Sequence, residues 1–426
     1  AKGESGVLMI QGTDGRFSAS LQTDFELNKE SEDVDAAFFD ANGDSHPDLL
    51  VITGGNEILA TSRQGEDRLY INDGKGNFKK KELAFPVQYE SKSCIAVSDI
   101  DKDGDMDFFI GNLANQTGYG QPVNSYLYLN RGDATFDMAE RNTIFLQKAG
   151  MVTAAVFADV NKDGWPDLVI TGEWMPLKIF INKKGVFTET AIPGSTGLWQ
   201  SLFAADVNGD GYTDLLAGNW GHNSKFRAGK NGPLKLFMKD FDNNGTVEQI
   251  LCYTIDKKEY TFLAKDELER SLPVLKKAYL NYSDVAGKTV QYMFYDLFKD
   301  YTTLQAETLS SSCFINNGKG DFTRSDMADA AQTAPLMCMN LASGKEGVRI
   351  LAAGNYYGVI PYEGRYDAMQ PLQFSFAKDG TAAGAHNIMN NFKGEARDID
   401  WVRTGTGDSL LVIARNNGPL VFLKKN

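Results

Sequence analysis

The sequence predicts an all-β fold that is built from a repeated four-stranded antiparallel unit. The chain contains 42 Gly, 17 Tyr and 26 Phe, a composition that favours many short strands joined by tight turns. An acidic nine-residue loop also recurs, and its copies begin at Asp40, Asp99, Asp159 and Asp206, which are 59, 60 and 47 residues apart. Apolar runs flank the loops, so each loop is expected to join two strands of one unit.

The loop from Asp206 to Asp214 is the most regular copy. It has carboxylate or carboxamide side chains at positions 1, 3, 5 and 9, Gly at positions 4 and 6, and no Lys or Arg between them. Hard oxygen ligands in this pattern favour a hard cation, so we predict calcium (Ca²⁺) at four regular loops and at a fifth, looser one. The predicted ligands are Asp40, Asn42, Asp44 and Asp48; Asp99, Asp101, Asp103 and Asp107; Asp159, Asn161, Asp163 and Asp167; Asp206, Asn208, Asp210 and Asp214; and Asp240, Asp242, Asn244 and Glu248.

The alternative for these loops is a set of Asx-turn hairpins whose carboxylates face solvent. Crowded carboxylates repel one another without a cation, which favours the metal interpretation. All five loops lack the bidentate Glu at position 12 of an EF-hand, so we expect weak binding with dissociation constants of about 0.1 to 1 mM. Such sites fill outside the cytosol. We therefore expect a structural role for calcium in an extracytoplasmic protein that is secreted, periplasmic or at the cell surface.

The second unit shows the complete strand pattern. Apolar segments 94–98 and 108–110 flank its acidic loop, 126–129 alternates as a third strand, and 130–136 turns into a fourth. The same closing hairpin recurs at 72–78, 182–187 and 316–322. A four-stranded meander with this period is typical of β-propeller blades. We predict one seven-bladed β-propeller domain over residues 1–426, with the first blade incomplete.

The two ends of the chain depart from this pattern. Segments 336–355 and 398–416 repeat the strands but lack a complete set of acidic ligands, so no metal is expected there. Residues 6–17 match only the third and fourth strands of a unit. Either the chain begins inside a blade, or these strands complete the blade that the C-terminal strands begin, which would remove a free sheet edge.

The period breaks in the middle of the chain. Residues 227–310 form an insertion within one blade, and this insertion contains the fifth acidic loop. Its later part, 265–298, has the apolar spacing of amphipathic helices with a break at Pro273. An excursion of this length is either functional or a packing lid.

The chain resembles the FG-GAP/VCBS repeat family, the calcium-loop propellers typified by the α-subunit head of integrins. The resemblance rests on the Asp-x-Asn/Asp-x-Asp-Gly-x-x-Asp loops, on the preceding Phe-Ala-Asp at 157–159 and Ala-Ala-Asp at 204–206, and on the Gly-Asn dipeptides that follow. It covers nearly the whole chain except 227–310. The motif is specific for the fold and weak for function.

A narrower resemblance is to the C-terminal propeller region of large secreted ASPIC/UnbV-type proteins of Bacteroidetes. The segments that carry it are 172–176, 239–245, 352–357 and 364–367. The resemblance implies that this chain is part of a larger parent protein whose preceding unit would supply the missing strands of the first blade.

Composition excludes some classes of partner. The net charge is −13 and the isoelectric point is about 4.9, which argues against a nucleic-acid or anionic-membrane surface. No apolar run approaches the length of a membrane span, and no signal peptide is visible, so we expect no membrane insertion. The four cysteines have no regular spacing, which indicates neither a zinc site nor a disulfide framework; Cys94 and Cys338 lie in apolar runs and are expected to be buried.

The connections between second and third strands are expected to form the ligand-binding face, opposite the calcium loops. Four of them are long, and long loops on a rigid scaffold are where binding usually occurs. Their aromatic and basic residues suit a glycan or a protein partner. The predicted ligand-binding residues are Tyr119, Glu173, Trp174, Trp220, His222, Arg227, Tyr356, Tyr357, Arg365 and Tyr366.

The alternative function is a carbohydrate-active enzyme, a lyase or hydrolase. It requires paired carboxylates in the central funnel, for which Glu173 and Glu57 are the candidates. The three histidines, His46, His222 and His386, have no triad or metal-ligand spacing. We predict no catalytic residues, and the sequence favours a binding module over an enzyme.

Overall fold

Antiparallel sheets follow one another along the chain. The computed structural model describes residues 3–55, 62–114, 118–342, 347–359 and 364–424. In these ranges there are eight sheets, of which seven follow the order of the predicted units and one lies within the insertion. The all-β prediction is confirmed, and the count of sheets is consistent with seven blades.

The strands and helices have the following bounds. In chain order the strands are β1 (Leu8–Gln11), β2 (Phe17–Ser20), β3 (Asp33–Phe39), β4 (Asp48–Thr53), β5 (Arg68–Asn72), β6 (Phe78–Lys80), β7 (Ser91–Ser98), β8 (Asp107–Ala114), β9 (Tyr126–Asn130), β10 (Phe136–Met138), β11 (Met151–Ala158), β12 (Asp167–Met175), β13 (Lys178–Lys183), β14 (Val186–Ala191), β15 (Gly197–Leu198), β16 (Ser201–Ala205), β17 (Asp214–Gly218), β18 (Leu234–Lys239), β19 (Glu248–Ile255), β20 (Lys258–Thr261), β21 (Thr302–Ala306), β22 (Ser312–Asn316), β23 (Phe322–Asp326), β24 (Leu336–Leu341), β25 (Arg349–Gly354), β26 (Leu372–Phe376), β27 (Ala382–Asn387), β28 (Glu395–Arg403), β29 (Ser409–Asn416) and β30 (Gly418–Lys424). The helices are α1 (Thr23–Leu27), α2 (Glu140–Leu146), α3 (Lys265–Ser271), α4 (Val274–Ala278), α5 (Tyr282–Val285) and α6 (Val290–Phe294).

Five sheets contain the predicted four-stranded meander. Four of them run in direct chain order, as β3-β4-β5-β6, β7-β8-β9-β10, β11-β12-β13-β14 and β24-β25-β26-β27, and β15 adds to the third by pairing with β12. The fifth is β16-β17-β22-β23, in which the insertion separates the second and third strands. The sheet β28-β29-β30 has three strands. The long connections between second and third strands therefore lie at the opposite sheet end from the acidic loops, as predicted.

The sheets pack face to face around their first strands. β3 contacts β7, β7 contacts β11, β11 contacts β16, β16 contacts β24, and β24 contacts β28. Apolar clusters fill the space between neighbouring sheets; one contains Ile52, Phe108 and Phe136. The second strands β4, β8, β12, β17 and β25 are buried along nearly their whole length, which explains their continuous apolar runs. This arrangement is that of a β-propeller.

The N-terminal strands do not complete the last sheet. In the described part of the chain β1 pairs only with β2, and the sheet β28-β29-β30 ends at β30. The two sheets are in side-chain contact, since the rings of Phe17 and Phe422 stack at 5.1 Å and the Gly405 amide donates to Gln11 Oε1 at 2.8 Å. The alternative that the chain ends close the ring by strand pairing is therefore wrong. A mainly apolar cavity of about 500 Å³ lies between β1 and the sheet β3-β4-β5-β6 and is lined in part by Leu8 and Phe38.

The insertion forms its own sheet and a layer of short helices. Its sheet has the order β20-β19-β18-β21, and residues such as Phe241, Leu268 and Phe294 form a shared core with the helices. The predicted break at Pro273 is confirmed, because α3 ends at Ser271 and α4 begins at Val274. The insertion packs on the long-loop side of the propeller, where β21 contacts β12 and β15.

All four cysteines are buried and free, and burial was expected for two of them, Cys94 and Cys338. None of the helices in the described ranges combines the length and the apolar character that a bilayer crossing requires.

Candidate functional site

Two of the five acidic loops bring three acidic side chains together. One oxygen from each of Asp99, Asp101 and Asp107 lies within 4.8 Å of the others, and the fifth loop makes the same arrangement with Asp240, Asp242 and Glu248. The Oδ1 atoms of Asp99, Asp101 and Asp242 are buried and have no hydrogen-bond partner among the described residues. Buried carboxylate oxygens without a partner are costly, and a bound cation would supply the missing interaction. These residues fit a calcium ion.

The other three loops stabilise themselves through an Asn at position 3. In the first loop, Asn42 Nδ2 donates to Asp44 Oδ2 at 3.0 Å while Asn42 Oδ1 accepts from the Asp44 amide at 3.0 Å. Asn161 and Asn208 make the same pair of bonds in their loops. An Asp at position 3 has no hydrogen to donate to the carboxylate at position 5. Loops with Asn at position 3 are therefore stabilised by hydrogen bonds within the protein. Loops with Asp at position 3 keep carboxylate oxygens that have no hydrogen-bond donor in the described ranges.

The acid at position 9 joins its loop to the third strand of the same sheet. Asp214 Oδ2 accepts from the Val207 amide at 2.9 Å, and its Oδ1 accepts from the Asn316 amide at 2.8 Å. Asp48, Asp107 and Asp167 make equivalent bonds. Burial raises the pKa of Asp107 to about 7 and that of Asp167 to about 6. These carboxylates are therefore part of the fold, in addition to their predicted role as ligands.

The Asn that begins each closing hairpin connects neighbouring sheets. Asn130 Nδ2 donates to the Ala41 carbonyl at 3.0 Å, which lies in the acidic loop of the preceding sheet. Asn182 contacts Ile100 and Asn316 contacts Val160 in the same way, at 2.9 and 2.8 Å. The sequence pattern predicts these hairpins but not their contacts to the neighbouring unit. The recurrence of Asn at the same place was the available signal.

The long-loop face contains a cluster of aromatic side chains. The Trp220 ring contacts Tyr356 and Tyr366 edge to face, at 5.4 Å each, and also contacts Phe226 at 5.0 Å. The backbones of Tyr356 and Tyr366 are joined by hydrogen bonds in both directions. The structure thus brings together three of the predicted ligand-binding residues, and Trp220 also packs against an apolar cluster that contains Trp174 and Leu234.

A polar pocket of about 380 Å³ lies beside this cluster. Its lining includes His222 and Arg227 from one loop and Arg365 from another. His222 Nε2 lies 2.8 Å from the Ser310 hydroxyl, and the Arg365 guanidinium is 4.6 Å from the centre of the Tyr357 ring. Four more of the predicted residues are therefore at or next to one pocket.

The remaining three predicted residues form a hydrogen-bonded group that adjoins the aromatic cluster, since Trp174 and Trp220 pack in one apolar cluster. Tyr119 donates from its hydroxyl to Glu173 Oε2 at 2.5 Å, and Trp174 Nε1 donates to the Tyr119 hydroxyl at 2.9 Å. Gln200 Nε2 donates to Glu173 Oε1 at 3.1 Å. Burial raises the pKa of Glu173, and burial together with the nearby Glu173 carboxylate raises the pKa of Tyr119 well above its ordinary value. Trp174 holds this position with a φ of 60°, which is unfavourable for a non-glycine residue.

The carboxylate pair that an enzyme would need is not formed by the described residues around Glu173. Its hydrogen-bond partners there are a phenol and a carboxamide. The second candidate, Glu57, lies outside the described residues.

Comparisons with known proteins support the repeat interpretation. Three stretches match the family model described as FG-GAP-like repeat, at residues 53–110, 113–170 and 159–217. Residues 53–217 are therefore similar to FG-GAP-like repeats. The matches contain the second, third and fourth acidic loops, and together with the sheet topology they support an FG-GAP-type propeller. The narrower likeness to ASPIC/UnbV-type proteins stays a prediction.

Comparisons with curated proteins and with solved structures do not extend this assignment. No curated protein matches the chain. Among solved structures, the Dos1 propeller is 10% identical, with 98% of this chain and 80% of that chain covered and a TM-score of 0.38. The structure of BBS1N in complex with ARL6DN, soaked with mercury, is 10% identical, with 91% and 90% covered and a TM-score of 0.34. The fold assignment rests on strand topology and not on these two structures.

Proposed function

We propose that this chain is a calcium-stabilised, extracytoplasmic binding module that recognises a glycan or protein partner through its long-loop face. The observation that carries the proposal is the juxtaposition of the Trp220, Tyr356 and Tyr366 cluster with the pocket that contains Arg227 and Arg365. Aromatic surfaces beside a few polar groups are typical of ligand sites. A single propeller domain over 1–426 with an insertion at 227–310, similar to those of ASPIC/UnbV-type secreted proteins, belongs to the same proposal.

Calcium has a structural role in this proposal. The acidic loops lie at the sheet ends opposite the long loops, so their ions would hold first and second strands together without contacting the ligand. The unpartnered oxygens of Asp99, Asp101 and Asp242 favour this role. If thermal unfolding is unchanged by a chelator and by millimolar calcium, the structural role is wrong.

The binding proposal is tested with the intact chain on arrays of glycans and of extracellular proteins. The variant Arg227→Ala/Arg365→Ala is compared with Lys75→Ala/Lys319→Ala, which removes the same charge from exposed hairpins on the opposite face. We expect array hits to weaken in the first variant and persist in the second. If both variants bind the array hits equally well, the binding site does not lie on the long-loop face.

A second candidate, a carbohydrate-active enzyme, is favoured by one observation. Burial raises the pKa of Glu173, and a buried carboxyl with a raised pKa is a candidate general acid. Turnover of array hits that is lost in Glu173→Gln would favour this candidate. Binding of array hits without turnover favours the binding module over the enzyme.

A further inference from the structure

We infer that the pocket between loops 222–227 and 364–368 binds an acidic carbohydrate, one that bears a carboxylate or a sulfate group. This inference rests on the proposed function and specifies the ligand of the same face. The pocket has a volume of about 380 Å³, which is within the range of about 300 to 1,000 Å³ for small-molecule sites.

The charge of the pocket is opposite to that of the chain. The sequence has 56 acidic and 43 basic residues, yet Arg227 and Arg365 both line this pocket. In the described part of the chain, no hydrogen bond or ion pair is made by either guanidinium, and Arg365 contacts only the Tyr357 ring as a cation. Among the described lining residues Asp367 is the one acid. A local excess of positive charge on an acidic protein attracts an anionic ligand.

The two arginines also fit the shape of the anionic group. A guanidinium offers a planar fork of donors that pairs with two oxygens of a carboxylate or sulfate. Arg365 is held over Tyr357, so less of its side-chain freedom is lost when a ligand binds. His222 lies on the same wall with its Nε2 at the Ser310 hydroxyl, and Asn223 and Ser224 add neutral polar groups for hydroxyls.

A second chamber favours a carbohydrate over a single small anion. This chamber has a volume of about 460 Å³, shares Arg227 with the first, and is lined by Tyr253 and Phe262 from the insertion region. Arg227 therefore stands between a polar, cationic chamber and a chamber with aromatic walls. An oligosaccharide has both charged groups and apolar ring faces, and it is long enough to occupy both. The insertion thus supplies one wall of the binding site.

The small size of the site argues against an acidic protein surface as the ligand. Protein interfaces of standard size bury about 800 Å² on each partner, whereas the two pockets have volumes of only about 380 and 460 Å³. An acidic peptide is the competing ligand, and the experiment includes it.

The test is isothermal titration calorimetry on the intact chain with calcium present. The probes are galacturonate oligosaccharides, sulfated heparin-type oligosaccharides, neutral gluco-oligosaccharides of equal length and an aspartate-rich peptide. We expect binding of an acidic oligosaccharide that weakens with added salt and that weakens at least about tenfold in Arg227→Ala/Arg365→Ala, but not in Lys75→Ala/Lys319→Ala. Comparing the galacturonate and the sulfated oligosaccharides shows whether the pocket recognises a carboxylate or a sulfate group.

The outcomes separate this inference from the proposed function. Binding of neutral oligosaccharides with equal affinity, or of the peptide alone, overturns the acidic carbohydrate and leaves the binding module in place. Acidic binding that is unchanged in the arginine variant overturns the assignment to this pocket. Failure of every probe, together with empty glycan and protein arrays, overturns both. Circular dichroism of each variant establishes that the fold is retained.

Discussion

Asp214 and Asn316 are 102 positions apart in the sequence, yet Asp214 Oδ1 accepts a hydrogen bond of 2.8 Å from the Asn316 amide. Asn316 Nδ2 in turn donates to the Val160 carbonyl in the acidic loop of the preceding sheet, at 2.8 Å. The repeat motif therefore contains an acid that fixes its own hairpin and an Asn that reaches the neighbouring unit. This pair explains why acid and Asn recur together, whether or not the loop holds a metal ion.

Removing this Asn is expected to destabilise the propeller. Asn316→Ala leaves the buried Val160 carbonyl and the partly buried Thr213 carbonyl without their donor, and an unpaired buried group costs about 1 to 3 kcal/mol. We expect the free energy of unfolding, measured by urea denaturation, to fall by about 2 kcal/mol or more. The control is Lys319→Ala, three residues further along on the exposed part of the same hairpin. Equal losses in both variants would contradict the inter-sheet role.

Exchanging Asp and Asn at position 3 is expected to change the response to calcium. Asp101→Asn gives the second loop a donor toward Asp103, so the metal-free protein should become more stable and gain less from calcium. Asn161→Asp removes the existing donor to Asp163 and should have the opposite effect on both quantities. Thermal unfolding with chelator measures the stability of the metal-free protein, and thermal unfolding with 10 mM calcium measures the gain from calcium. For scale, an ion at 100 times its dissociation constant contributes about 2.7 kcal/mol.

The two variants control for each other, because one replaces Asp by Asn and the other replaces Asn by Asp at the same loop position. Any effect of side-chain size alone would be small, because Asp and Asn have nearly equal volume. If both variants lose stability equally and neither changes the calcium response, position 3 does not contact a metal ion.

The stability of the protein is expected to depend on the protonation of Asp35. Burial raises the pKa of this carboxyl to about 6 from an ordinary 3.8, and the nearby Asp398 adds to the shift. A raised pKa means that the folded state holds the proton more tightly, so this contribution to stability is present below about pH 4 and is lost as pH rises to about 6. Urea denaturation between pH 4 and 7, with chelator throughout, should show a smaller decline for Asp35→Asn than for the wild type. The control is Asp329→Asn at an exposed position, and its stability should change with pH as that of the wild type does. If the stability of Asp35→Asn declines with pH as steeply as that of the wild type, Asp35 is not the group responsible.

Neighbouring acidic loops are also connected by cation–π contacts. Lys162 Nζ lies 3.8 Å from the centre of the Tyr212 ring in the next loop, and Lys102 lies 4.9 Å from that of Trp165. Both lysines have a φ near 60°, where the corresponding residue of the first and fourth loops is Gly. The contact with the next ring offsets the cost of a side chain at this position.

A double-mutant cycle measures this contact. Lys162→Met keeps the backbone cost and removes the charge, and Tyr212→Leu removes the ring. We expect a coupling free energy of about 0.5 to 1 kcal/mol between them. The pair Lys162→Met and Trp165→Leu, in the same loop, should show less coupling. Additive effects in the first cycle would mean that the contact contributes nothing to stability.

The sequence predicted the strands well because the chemistry that defines them is local. The apolar runs around each acidic loop and the Gly-containing hairpins identify strands without knowledge of the tertiary contacts, and the break at Pro273 follows from the missing amide of proline. The division of the five loops also depends on one visible residue, Asn or Asp at position 3. Its consequence became clear only when the hydrogen bonds of Asn42 and the orphan oxygen of Asp101 were located.

The site was harder to predict because its parts are distant in sequence. The predicted residues form adjoining groups around Trp220 and around Glu173, and periodicity does not indicate which loops meet. The wall formed by Tyr253 and Phe262 was missed since it depends on how the insertion packs on the propeller. Closure by the chain ends was wrongly included as an alternative, because a pattern of strands does not determine which edges pair.

The Asn contacts between sheets constrain how this protein can change its number of repeats. Asn130, Asn182 and Asn316 each bind a carbonyl in the preceding unit, so a unit is defined by the loop of one sheet and the hairpin of the next. Deleting or duplicating one whole sheet would place the Asn of one unit beside the loop of a different unit, and the contact would survive because both partners recur. The number of repeats can therefore change by whole units, provided that each new pair of neighbours contains both the hairpin Asn and the loop carbonyl.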